Sequence, residues 1–102
     1  WLPLPAEWAA LTVETQLDDP DSTLEFFRRA IQLRHGRSEF GGSAIEWLDS
    51  PADSVVFRTS GGLVCVLNAG RNAIALPRGE VLMTSGPQVA GQLPPHTAAW
   101  LV

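Results

Sequence analysis

Apolar residues keep a helical spacing in the stretch that ends at Gly36 and a strand-like spacing after it. The strongest helical stretch is Asp21 to Gly36, DSTLEFFRRAIQLRHG. Ser22 followed three residues later by Glu25 predicts a capping box, in which hydroxyl and carboxylate each satisfy one of the orphan amides at the helix start. Gly36 is expected to stop the helix in the left-handed conformation, with Arg34 and His35 in a last turn where positive charge suits the dipole.

At about 100° per residue, Leu24, Phe26, Phe27, Ala30, Ile31 and Leu33 spread over roughly half the helix circumference, wider than the ~100° stripe of an ordinary surface helix. The width predicts cover from two sides. One flank, Phe26, Ala30 and Leu33, is expected to pack on the rest of this chain. The other, Leu24, Phe27 and Ile31, is expected to meet a second body. Arg34 projects into the middle of the same arc, where it either snorkels to solvent or pairs with a carboxylate across an interface. Leu24, Phe27, Ile31 and Arg34 are therefore the candidate site residues, and the role they predict is packing.

Past Gly36 six apolar runs are separated by turn chemistry: 44–48 (AIEWL), 54–59 (SVVFRT), 63–68 (LVCVLN), 72–76 (NAIAL), 80–84 (EVLMT) and 97–102 (TAAWLV). Short strands at this spacing, with Gly-rich or Pro-rich connections, predict an antiparallel β-sandwich or barrel. The fold class is thus mainly β, an antiparallel sandwich preceded by one amphipathic α-helix. Leu63 to Leu67 is apolar at every position, which predicts a central strand covered on both faces and a buried, protonated Cys65. Trp47 and Trp100 sit beside aliphatic residues within strands and are expected in the core, with a sugar-stacking platform as the alternative.

The rest of the chain excludes more than it adds. Trp1 to Pro5, WLPLP, is expected to be extended because proline fixes its own φ and restricts the residue before it. Ala6 to Gln16 reads as a short helical turn followed by coil. Asp18, Asp19 and Asp21 lack the spacing, glycine and terminal glutamate of an EF-hand, and they suit the positive end of the following helix. Seven basic residues against eleven acidic, a net charge of −4, leave no basic patch for nucleic acid. No apolar run approaches the ~20 residues of a membrane span, and no segment reads as a signal peptide. One cysteine and two isolated histidines form no metal-ligand pattern, and no cofactor is expected. A single thiol suits a reducing compartment, so the cytoplasm is the expected location. Opening on Trp1 and closing within the β-type run Trp100-Leu101-Val102 is the form expected of a piece of a longer protein.

In order along the chain, WLPLPAEW, VETQ, DDPDSTLEFFRRAIQLRH, GLVCVLN and GEVLMTSG resemble the C-terminus of α-glucosidases of the α-amylase superfamily. The likeness is to the oligo-1,6-glucosidase and maltase-like branch of glycoside hydrolase family 13. Each word is weak and their order is specific. The resemblance implies that residues 1–36 correspond to the final loop and helix of a catalytic (β/α)8 barrel. It implies that residues 43–102 correspond to domain C, a Greek-key β-sandwich packed on that barrel. Phe27 departs from the tyrosine usual there, and Arg37 to Gly42 varies among relatives. The implied parent chemistry is retaining hydrolysis by two carboxylates about 5 Å apart, carried by earlier barrel strands with no counterpart here. The eleven Asp and Glu of this chain fall mostly in turns, caps and polar strand faces, with no convergent pair, so the segment is expected to be non-catalytic. Its expected partner is the barrel, in the same chain or as a separate fragment, with self-association of the isolated segment as the other outcome. A stand-alone carbohydrate-binding sandwich and an Ig-like interaction domain are the competing readings.

Overall fold

The helical spacing between Asp21 and Gly36 yields α2, Thr23–Gly36, in a computed structural model that describes residues 2–102. Trp1, and with it the first position of the WLPLP segment, lies outside the described residues. Two units divide the chain, Trp1–Gly36 and Arg37–Val102.

In the first unit a 3-10 helix, Ala6–Leu11, is followed by a single-turn helix α1, Val13–Gln16. The segment expected to end in coil is helical because Thr12 caps α1, its hydroxyl accepting from the Thr15 amide at 3.3 Å. Ser22 caps α2 as predicted, accepting from the Glu25 amide at 3.2 Å. The reciprocal half of the capping box is not formed. Glu25 instead accepts from Arg28 at 2.6 Å, and the Ser22 amide donates to the Asp19 carbonyl. The α2 helix also takes in Gly36 as its last residue, without positive φ. The chain leaves through Arg37 in extended backbone, φ −128° and ψ 127°, so no left-handed turn is required of Gly36.

The second unit contains the strands β1 Ile45–Leu48, β2 Ser54–Thr59, β3 Val64–Asn68, β4 Ile74–Ala75, β5 Val81–Thr84, β6 Gln92–Leu93 and β7 Thr97–Leu101. Five form an antiparallel sheet in the order β1-β2-β3-β7-β5, and β4 pairs with β6. The chain is mainly antiparallel β with one substantial helix. The first three strands meander; the chain then crosses to the second layer as β4, returns as β5, crosses again as β6, and finally enters as β7 between β3 and β5. Val56, Val64, Val66, Ala99 and Leu101 from the large sheet meet Leu93, with Ile74 and Leu76 packed alongside. The two-stranded layer therefore covers one face of the large sheet.

Two polar devices fix this arrangement. Asn68, fully buried at the end of β3, donates from Nδ2 to the carbonyls of Asn72, Leu93 and Pro94 at 2.9, 3.0 and 3.1 Å. Its Oδ1 accepts from the Gly70 amide at 3.0 Å, so one side chain ties β3 to both the β3–β4 turn and the second layer. At the other end, the β2–β3 turn is held against the 3-10 turn Ser38–Phe40. The Glu39 carbonyl accepts from the Thr59 hydroxyl at 2.8 Å and from the Leu63 amide at 3.3 Å. Gly61 sits so close that a Cβ there would lie 2.4 Å from the Gly41 carbonyl oxygen and 2.6 Å from that of Glu39.

Strand β3 corrects the expectation of two covered faces. Val64, Val66 and Asn68 are buried, whereas Cys65 is half-buried and Leu67 is 45% exposed. The β4–β6 layer covers only the face that carries Val64 and Val66, so the usual period-two alternation returns.

Candidate functional site

The candidate residues of α2 owe their setting to the turn before the helix. The Ser22 hydroxyl lies 2.8 Å from the carbonyls of both Gln16 and Asp19, to which it can donate. The Gln16 side chain spans the junction, its Nε2 donating to the Leu11 carbonyl at 2.7 Å and its Oε1 accepting from the Leu24 amide at 3.1 Å. Gln16 is a second cap that sequence reasoning missed. It lies outside the local window in which capping motifs are read, and only the fold of α1 against α2 brings it there.

The spacing Leu24, Phe27, Ile31, Arg34 places these four along one stripe of the helix. Leu24 is half-buried, Phe27 and Ile31 are 59% and 54% exposed, and Arg34 is exposed. The neighbouring flank of Phe26, Ala30 and Leu33 is half-buried throughout. Phe26 braces Phe27 edge-on at 5.9 Å between ring centroids. Arg34 has no ion-pair partner among the described residues, where the pairs are Arg28–Glu25, Arg37–Glu39 and Arg58–Glu46. The arrangement offers an aromatic and an aliphatic side chain to solvent beside a free guanidinium. Chemically it can dock against apolar surface and accept one carboxylate.

Within the second unit, the face of the large sheet away from β4 and β6 is also apolar. Strand register aligns Trp47, Phe57, Cys65, Trp100 and Met83 in one row across all five strands. Trp47, expected in the core, is 67% exposed, because β1 is an edge strand and its side chain points away from the covered face. Phe57 supports its ring edge-on at 5.6 Å. Trp100 is half-buried under an edge-on contact with Phe40 at 4.9 Å. Cys65 is half-buried between them, and desolvation raises its thiol pKa. That thiol is screened but does not lie in the core as expected.

Acid-base apparatus is sparse. Glu39 has its carboxyl lowered below the ordinary range by a hydrogen bond from its own backbone and then by Arg37 at 2.9 Å. That role is local, holding the turn that grips Gly61. Among the described residues no group of three His, Cys, Asp or Glu side chains could hold a metal ion. Asp18, Asp19 and Asp21 shape the turn before α2, with Asp18 at φ 63° and Asp19 Oδ1 accepting from the Asp21 amide at 3.1 Å. No helix among the described residues is long and apolar enough to cross a membrane.

No protein-family model and no curated protein matches the chain. Among solved structures it is similar to the 1.4 Å crystal structure of a "Putative alpha Amylase" from Salmonella typhimurium, with a TM-score of 0.63 and 20% sequence identity. The match covers 88% of this chain and 17% of that one, so the present sequence corresponds to a small segment of a much longer protein. At that identity the likeness is one of architecture: the chain has the fold, mainly antiparallel β with a helix ahead of it, of one segment of that structure.

Proposed function

We propose that the chain is the C-terminal part of a glycoside hydrolase of the α-amylase superfamily, specifically an α-glucosidase that cleaves short oligosaccharides or disaccharides with retention. In this reading the segment stabilises a catalytic barrel and supplies none of its carboxylates. Residues 1–36 are the barrel's last loop and helix, and residues 43–102 are domain C. The observation that carries the proposal is the fold match over 88% of this chain to 17% of a chain described as a "Putative alpha Amylase". The order of sequence motifs from WLPLPAEW to GEVLMTSG supports it independently. The test is the uninterrupted reading frame upstream of Trp1, expressed whole and assayed on maltose and isomaltose. It is expected to encode a barrel with two carboxylates about 5 Å apart and to release glucose. A frame without such a barrel would overturn the reading.

Leu24, Phe27, Ile31 and Arg34 are, on this proposal, the packing residues through which this segment meets the rest of the barrel, with Arg34 meeting a carboxylate there. Fully burying such a side chain is worth roughly 1.5–3 kcal/mol, and Phe27 and Ile31, 59% and 54% exposed, forgo a little over half of it. The isolated 102-residue chain is therefore expected to self-associate in sedimentation velocity, and Phe27→Glu with Ile31→Glu to return it to monomer. A wild-type monomer at high concentration would remove the docking role of this stripe.

One observation favours a second reading, in which the chain binds carbohydrate: the exposed Trp47 indole, supported by Phe57. A sugar site normally adds a few placed hydrogen-bonding groups to its aromatic surface, and the row from Trp47 to Met83 supplies none apart from the Cys65 thiol and the Trp47 and Trp100 indole N–H groups. Isothermal titration of the isolated chain with maltose and isomaltose separates the readings: no heat is expected on the first, and saturable binding lost in Trp47→Ala would favour the second.

A further inference from the structure

We draw no further inference here: the strongest candidate, the outward apolar face of the five-stranded sheet along Trp47, Phe57, Cys65, Trp100 and Met83, carries nothing because the structure does not show what covers it.

Discussion

Replacing Asn68 tests whether one buried amide holds the two sheet layers together. Its Nδ2 carries two hydrogens and faces three carbonyl oxygens, those of Asn72, Leu93 and Pro94, so at least one hydrogen is shared. Asn68→Ala strips all three carbonyls and the Gly70 amide of this partner. Leu93 is fully buried, so its carbonyl is the least able to recruit water. The loop groups at Asn72 and Pro94 are only part-buried. An unsatisfied buried group costs about 1–3 kcal/mol, which puts the expected loss near 2–4 kcal/mol, a large share of the ~5–15 kcal/mol that holds a domain folded.

Asn68→Asp is the sharper variant. It keeps Oδ1 for Gly70 and sets an oxygen against the three carbonyls. Ionised aspartate is disfavoured there, so its folded pKa lies above the unfolded value of about 3.9. The unfolded state then binds fewer protons than the folded state between those two values, and stability falls as pH rises through that window, by up to about 1.4 kcal/mol per pH unit. Below the unfolded pKa the neutral acid donates one hydrogen bond and the deficit is smallest. Urea unfolding followed by far-UV circular dichroism at pH 4 and pH 7, each referred to wild type at the same pH, measures this. A deficit equal at both pH values, or an aspartate variant within a few tenths of a kcal/mol of wild type at pH 7, would refute the assignment.

Ser22→Ala is expected to cost about 1–2 kcal/mol, since it removes the acceptor for the Glu25 amide and a donor to the preceding turn; chemical unfolding changed by less than a few tenths would dismiss the cap. Gly61→Ala is expected to destabilise by about 1–3 kcal/mol, because its Cβ meets backbone oxygens that cannot swing away. Gly36→Ala, with nothing within 4 Å of its would-be Cβ, should instead stabilise by up to about 1 kcal/mol through helix propensity. Thermal melts of the two variants should move in opposite directions, and a shared sign would contradict the packing described at Gly61. Cys65 should react with a thiol reagent at pH 7 more slowly than free cysteine, its rate still climbing past the ordinary thiol pKa of about 8.5. Labelling as fast as free cysteine would mean that its face of the sheet is open at that point.

How far the sequence reveals the fold depends on whether a signal is local. Helix α2 and five of the seven strands announce themselves by apolar period and by the Gly, Pro and Asp between them, and Ile74–Ala75 is the remnant of the longer run 72–76, whose Asn72 carbonyl is taken by the Asn68 side chain. Strand β6 is invisible because Gln92–Leu93 is two residues long and lies between Gly91 and Pro94, yet Leu93 is the most buried apolar side chain together with Leu101. The run Leu63 to Leu67 misleads because an apolar strand reads alike whether its second face is covered or merely apolar. Trp47 misleads for the same reason, since edge position is set by topology. At the candidate site, helical phase puts Leu24, Phe27, Ile31 and Arg34 on one stripe from the sequence alone. What such a stripe meets is not written in its phase, and Gln16, which helps to cap it, acts from eight residues before Leu24.

Strand β7 hydrogen-bonds on both sides, to β3 and to β5, although it is the last of the seven to leave the ribosome. Until residues 97–101 emerge, β3 has an open edge along Val64–Asn68 and β5 has no neighbour in the sheet. The nascent β unit is then a three-stranded meander with its core half exposed, and closing it requires a pairing across about thirty residues, the slow kind of event in β folding. A nascent chain stalled before Thr97 is therefore an exposed sheet edge, the state in which strands of neighbouring chains can pair by mistake.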